Sequence, residues 1–260
     1  MSRLSYYLSS LQTLAVGVRN WPALLAGLAR GRGAELVLRS GLRFRVRSLM
    51  DVWIIKETCL DRDYERVGVP LEADWTVIDI GAALGDFSVF AGQACPQGRV
   101  LAFEPYPPSF ELLRHNLALN GLTNVEPQPV AVAARAEAQT LAVTGAAVQH
   151  RTVGEAEADT QTVTVAGTTL GHILDGLLGG RCNFLKLDCE GAEYDILMST
   201  APDHLARIEH ICLEVHDGIT GHSRHDLAGF LQRHGFDVRL TPNPVHANLG
   251  FLYAIRSRKR

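Results

Sequence analysis

The stretch Thr76-Val77-Ile78-Asp79-Ile80-Gly81-Ala82-Ala83-Leu84-Gly85-Asp86-Phe87-Ser88 decides the fold. Five residues of short apolar strand end at a glycine, and a helix follows with Asp86 near its start. Gly81 lets the backbone turn sharply, and Gly85 leaves room for a close approach. The free N–H groups of the following helix terminus then suit a carboxylate or phosphate. The spacing is Gly-x-x-x-Gly, which is not the dinucleotide-binding fingerprint. Asp79 suits a cationic ligand better than a pyrophosphate.

Downstream of this unit the pattern repeats. Arg99 to Glu104 reads as a second buried strand, and Ser109 to Asn120 as a helix with a serine cap. Val125 to Ala133, Asn183 to Asp188 and His210 to Val215 read as further strands. Helices are expected at Thr169 to Leu178, Glu193 to Ser199 and Arg224 to His234. Continuous apolar strands alternating with helices imply a parallel sheet covered on both faces. Phe236 to Leu240 and Leu249 to Ile255 are separated only by turn residues, too few for a crossover helix, so this pair should be antiparallel. Residues 134 to 160 are rich in Ala, Glu and Gly and read as a surface excursion or lid, with a short strand at Thr140 to Val143.

Upstream, Leu4 to Ala15 and a short segment after Trp21-Pro22 read as helices. Ser40-Gly41 marks a hairpin whose second strand alternates Leu42, Phe44 and Val46 with Arg43, Arg45 and Arg47. Asp51 to Thr58 is expected to be helical, and Asp61 to Val69 a polar connection. The chain divides on this reading into residues 1–50, a helical segment and hairpin, and residues 51–260, the main domain.

Charge follows the same division. The 260-residue chain has a formal net charge of -3, but residues 1–50 carry eight arginines against one acid, Glu35. The remainder is acidic by 10 charges. That basic face could meet acids of the body, a second copy of the chain, an anionic acceptor or a membrane surface. Five cysteines without a Cys-x-x-Cys pair argue against a disulfide framework or zinc ribbon and fit a reducing cytoplasm. No run reaches the roughly 18 uninterrupted apolar residues of a membrane span.

Three more strand ends carry chemistry. Phe103-Glu104-Pro105 places an acid where it can accept both hydroxyls of a ribose. Leu185-Lys186-Leu187-Asp188-Cys189-Glu190-Gly191-Ala192-Glu193 puts Lys186 and Asp188 on one face of a central strand, with Glu190 just past its end. Leu213-Glu214-Val215-His216-Asp217 puts Glu214 and His216 together, and His216 could accept a proton from a substrate hydroxyl. Asp188, Glu214 and His216 also offer ligand types for a divalent metal, but at no diagnostic spacing, and no metal is expected.

Together these residues resemble the FkbM family of S-adenosylmethionine-dependent methyltransferases over about residues 51 to 255. The matching elements are Asp79-Ile80-Gly81 with Gly85, Phe103-Glu104-Pro105 with its helix, and the Lys186 to Glu193 motif, the most specific of them. One departure is Ala83, where the family usually has Asn. The resemblance implies an α/β, class I methyltransferase, Rossmann-like sheet, mostly parallel and closed by a C-terminal antiparallel hairpin. It implies S-adenosylmethionine as cofactor and O-methylation of a sugar, glycolipid or secondary metabolite. Asp79, Gly81, Ala82, Gly85, Glu104, Pro105 and Asp188 would then bind the cofactor. His216, Asp188, Glu190 and Lys186 would form the catalytic group. The expected partner is a small-molecule or glycan acceptor, not nucleic acid, because the main domain lacks a basic surface and a base-stacking aromatic cluster. An NAD-dependent oxidoreductase, an RNA methyltransferase and a non-catalytic module on the same fold are the rival readings.

Overall fold

Alternating apolar strands and amphipathic helices leave one economical arrangement, a sheet with helices on both faces. The computed structural model, which describes residues 3–143, 150–152, 161–243, 245–246 and 248–257, has that form. The N-terminal segment comprises α1 (Arg3–Gly17), α2 (Trp21–Ala29) and the antiparallel hairpin β1 (Ala34–Val37) and β2 (Arg43–Val46). Next come α3 (Leu49–Ile55), a π-helical turn at Lys56–Leu60 and the short α4 (Asp63–Val67). The expected polar connection at Asp61 to Val69 is therefore partly helical. Tyr64 and Val67, three residues apart on one helix face, are buried.

The main domain then runs β3 (Thr76–Ile80), α5 (Asp86–Ala94), β4 (Arg99–Phe103), α6 (Pro107–Leu119) and β5 (Val125–Gln128). After it come β6 (Ala131–Val132), β7 (Gln139–Val143), β8 (His150–Thr152), β9 (Thr162–Val165), β10 (Gly167–Thr168) and α7 (Leu170–Asp175). The chain continues through β11 (Cys182–Leu187), α8 (Glu193–Ser199), α9 (Pro202–Leu205), β12 (Ile208–His216), α10 (Arg224–Arg233), β13 (Phe236–Pro242) and β14 (Leu249–Arg256).

Seven strands form the central sheet in the order β13-β14-β12-β11-β3-β4-β5. Strands β5, β4, β3, β11 and β12 pair in parallel, while β14 inserts antiparallel between β12 and β13. This is the expected parallel sheet with its C-terminal antiparallel hairpin. Two expectations shift. The helix predicted from Ser109 begins at Pro107, because proline suits the first helical position and Ser109 is buried inside the element. The strand predicted over Val125 to Ala133 breaks after Gln128. There Pro129 supplies no N–H to a ladder, and Ala131–Val132 leaves to pair with β10.

The excursion supplies β7 and β8 of the three-stranded sheet β8-β7-β9, including the strand expected near Thr140 to Val143. Residues 144–149 and 153–160, the rest of the expected lid, lie outside the described residues.

Side chains alternate across each strand. Val77, Phe184 and Cys212 face one core, and Ile78, Leu185 and Ile211 the other. The first core also takes Leu14, Val18, Leu36, Phe44 and Val46, so the hairpin's apolar face shares an interior with the main domain. Asn116 and Asn120 of α6 fasten it there by accepting from the backbone N–H groups of Arg45 and Arg43 at 2.6 and 3.0 Å. The arginines on the other face are largely engaged. Arg43 pairs with Glu35 at 2.9 Å, Arg47 pairs with Asp51 at 3.0 Å, and Arg45 donates to the Arg32 carbonyl. Among the described residues no helix is long and apolar enough to cross a membrane.

Candidate active site

Parallel strands deliver their carboxyl ends to one edge of the sheet, which is where ligands bind in open α/β folds. At this edge the β3–α5 turn, the loop after β11 and the end of β12 lie side by side.

The turn is built around two glycines. Gly81 has φ +76°, and a Cβ there would stand 1.8 Å from the Asp188 carbonyl oxygen. The N–H groups of Gly81 and Ala82 both donate to the Phe103 carbonyl at 3.0 Å. Gly85, at φ +88°, opens α5 and packs on Leu113 of α6, where a Cβ would come within 2.6 Å. The close approach that this glycine permits is therefore to a neighbouring helix. Ala83 adopts φ +46°, a left-handed conformation that Asn tolerates better than Ala. The usual family residue at this position thus has a backbone reason.

Beneath the turn lies a closed ion pair. Asp79 is fully buried, accepts from Ser88 Oγ at 2.6 Å and faces Lys186 Nζ at 3.0 Å. The same ammonium donates to the Gly81 carbonyl at 2.7 Å. Burial opposes its charge, but Asp79, Asp188 and Asp86 outweigh that and hold its pKa above the ordinary lysine value. Lys186 was expected to face the acceptor. With its side chain only 4% exposed, it instead ties the turn to β11 and reaches no acceptor directly. Asp79 is likewise spent on Lys186 and Ser88.

Glu104 is buried at the end of β4, with Pro105 half-buried beside it. Its oxygens each accept one backbone N–H, from Ala83 and Tyr106, at 2.8 Å. Burial lifts its pKa to about 7 against the lowering effect of those hydrogen bonds. Asp86 rises to about 7 for the same reason, although Lys186 and a hydrogen bond from Thr58 oppose the rise.

The second half of the edge is a cluster of acids around one histidine. Glu193 opens α8 and is fully buried, and its carboxylate accepts from the backbone N–H groups of Cys189 and Gly191 at 2.7 and 2.8 Å. That fixes the loop after β11. Within the loop Glu190 takes φ +54°, a strained conformation of the sort that collects at functional sites. Asp188 accepts from the Tyr64 hydroxyl at 3.2 Å. His216 stands between Glu190, 3.6 Å from Nε2, and Glu193, 3.4 Å from Nδ1. The Nδ1 contact has the distance of an ion pair but not the alignment of a hydrogen bond, so that buried nitrogen lacks a hydrogen-bond partner.

Burial opposes charge on His216, but Glu193, Asp188 and Glu190 overcome it and raise its pKa to about 10. Burial and Asp188 lift Glu190 to about 7, with His216 pulling the other way. Burial and Asp188 lift Glu214 as well. With both nitrogens facing carboxylates, the surroundings of His216 favour its protonated form over the free base that the sequence reading assigned to it.

Asp188, Glu193 and His216 each present a ligand atom, all within 4.8 Å of one another. This trio differs from the ligand types noted in the sequence, since Glu193 takes the place of Glu214. Tyr64 escaped the sequence reading, and Glu193 entered it only as the last residue of the Lys186 to Glu193 motif. Tyr64 sits in a segment read as a connection, and only its three-residue spacing from Val67 hinted at a helix. Glu193 was visible as a helix-start acid, but nothing in the sequence aimed it at His216.

A mostly parallel sheet closed by an antiparallel hairpin, with carboxylates and a glycine turn at its carboxyl edge, defines a class I methyltransferase fold. The family model described as Methyltransferase FkbM domain matches residues 79–238, and the chain belongs to that family. It is 26% identical over 231 residues to the 31-O-demethyl-FK506 methyltransferase FkbM of Streptomyces tacrolimicus, covering 75% of this chain and 85% of that protein. It is 23% identical over 218 residues to the hexuronic acid methyltransferase AglP of Haloferax volcanii, covering 78% and 82%. A 29% identical match to the antimetabolite synthetase AmbE of Pseudomonas aeruginosa covers 79% of this chain but only 12% of that much longer protein. Among solved structures, a Clostridium thermocellum protein classed as an rRNA methylase superposes with a TM-score of 0.52 at 10% identity, over 77% of this chain and 97% of that one. This likeness concerns the fold alone.

Proposed function

We propose that this methyltransferase uses S-adenosylmethionine to methylate a hydroxyl of a small acceptor, of the sugar, glycolipid or secondary-metabolite class. The observation that carries the reading is the juxtaposition of the Gly81–Gly85 turn and Glu104 with the Asp188–Glu190–His216 cluster at one sheet edge. The relatives named as FK506 and hexuronic acid methyltransferases support this acceptor class.

The residues present fit the cofactor. Glu104 is a buried acid whose oxygens each hold a single N–H donor, so each keeps acceptor capacity for a ribose hydroxyl. The Gly81–Gly85 turn would border the methionine portion, shaped from below by Asp79 and Lys186, with Ala82 in its wall and Pro105 flanking Glu104. When bound, the cofactor supplies an electrophilic methyl carbon. The chain's own residues then have two tasks, to align the acceptor hydroxyl and to take up its proton. Asp188 and Glu190, each partly accessible at the mouth of the cluster, stand where both are done. His216 holds Glu190 in place through its Nε2 contact. The engagement of Arg43 and Arg45 within the N-terminal segment, and of Arg47 with Asp51, favours a small acceptor over nucleic acid.

The test is isothermal calorimetry with S-adenosylhomocysteine, followed by mass spectrometry of reactions with hydroxylated sugars and macrolide-like acceptors. Wild-type protein should bind, Glu104→Ala should lose at least about ten-fold in affinity through the missing ribose contacts, and a product heavier by one methylene should form. Unchanged affinity in the variant would remove Glu104 from the cofactor site. Methylation of nitrogen or carbon alone would refute O-transfer.

A further inference from the structure

The trio at the end of β11, the start of α8 and the end of β12 has a property that methyl transfer by itself does not call for. His216 is 6% exposed, yet its Nδ1, which faces the Glu193 carboxylate, lacks a hydrogen-bond partner. A buried polar atom without a partner costs free energy unless something else occupies it. Glu193 Oε1 lies 3.4 Å from Nδ1, and one ligand atom from each of Asp188, Glu193 and His216 lies within 4.8 Å of the other two. Glu190 and Glu214 add further carboxyl groups beside the trio from the loop and from β12 itself, and Tyr64 faces it from α4. Lys186 is the nearest cation on the strand, and its ammonium is engaged on the turn side with Asp79 and Gly81.

We infer that Asp188, Glu193 and His216 form a binding site for one divalent cation of the manganese or magnesium class. The chemistry of the donors selects that class. Two carboxylates with one imidazole offer hard oxygen plus nitrogen, without thiolate. Cys189, the nearest thiol, contributes its backbone N–H to Glu193. The ligand side chains are held in place before any ion arrives. The N–H groups of Cys189 and Gly191 fix the Glu193 carboxylate, and the Tyr64 hydroxyl holds Asp188. Three protein ligands leave coordination positions for water or for an acceptor hydroxyl, as in open catalytic sites. The Asp188 side is partly exposed and gives an entry path. Entry of the ion displaces protons from His216, because a metal-bound imidazole nitrogen must be unprotonated.

Binding is read on cofactor-free, acceptor-free protein, so its outcome is independent of the methyl-transfer reading. Manganese chloride alone is titrated into the protein, and free manganese is followed by electron paramagnetic resonance, with calorimetry in parallel. One saturable site per chain is expected. His216→Asn and Asp188→Asn should each weaken it roughly ten-fold or more, since loss of a direct ligand should cost at least as much as loss of an outer-shell partner. Arg43→Ala, far from the trio, should leave it unchanged. Unaltered thermal unfolding of the variants secures that they are folded, and Asp188→Asn, at a half-exposed position, serves if His216→Asn is not. No saturable manganese binding to the wild type, or binding that survives both ligand substitutions, overturns the assignment.

Discussion

Replacing Lys186 with Met tests whether this lysine organises the site from within or acts on the acceptor. In the folded protein its ammonium lies 3.0 Å from a carboxylate that is itself fully buried, and 2.7 Å from the Gly81 carbonyl. The substitution keeps the packing volume roughly constant and removes the charge. Asp79 is then left in the interior with only the Ser88 hydroxyl as a partner. Breaking a buried pair by removing one member costs about 3–5 kcal/mol, because the remaining charge is uncompensated. The lost bond to Gly81 adds about 1 kcal/mol. Against a total stability of roughly 5–15 kcal/mol for a domain, that is a large fraction. Adding Asp79→Asn removes the stranded charge while keeping an acceptor for Ser88, so the double variant should recover most of the loss. Urea unfolding of wild type, both single variants and the double variant completes the cycle. A Lys186→Met cost below about 1 kcal/mol, or a double variant no more stable than the single, would refute the buried-pair argument.

Two further outcomes follow from the turn and from Glu104. Gly81→Ala puts a methyl 1.8 Å from the Asp188 carbonyl at φ +76°, so the left-handed penalty of about 1–2 kcal/mol is joined by about 1–3 kcal/mol of overpacking. Gly41→Ala, at φ +98° with open space around it, should show only the backbone term, and equal unfolding free energies for the two variants would contradict the steric argument. Glu104 has a folded pKa of about 7 against 4.5 in the unfolded chain, so between those values the folded state keeps a proton that the unfolded state has lost. Its contribution to stability is therefore greatest below pH 4.5 and declines by up to about 3 kcal/mol as pH rises to about 7. Asp86 adds a decline of the same sign, so the comparison that isolates Glu104 is wild type against Glu104→Gln, with urea unfolding at pH 5 and pH 8. Parallel pH profiles for the two proteins would show that the buried carboxyl does not titrate in this way.

Much of this molecule was readable before any coordinates. The period of two in Leu42, Phe44 and Val46 fixed which hairpin face is apolar, and those three side chains are buried. The shortness of the segment between Leu240 and Leu249 dictated an antiparallel pair, because a parallel one needs a crossover. The strand-end acids Asp79, Glu104 and Asp188 were legible because a parallel sheet sends every strand terminus to the same edge. These are local or topological properties, set by a few residues of spacing.

What tertiary structure alone decided is the direction in which each charged side chain spends its charge. Sequence placed Lys186 and Asp188 on one strand face, but only the neighbouring strand, with Asp79 at register with Lys186, turns that lysine inward. Sequence offered His216 as a base, but the loop after β11 and the start of α8 set Glu190 and Glu193 beside it, which favours its protonated form. Tyr64, 124 residues before Asp188, reaches it only because α4 packs beside β12 and β14. Backbone pattern is encoded by neighbours in the chain, and apolar periodicity reports it faithfully. Electrostatic partnership depends on distances of a few ångströms between residues far apart in sequence, and those distances exist only once the sheet has formed.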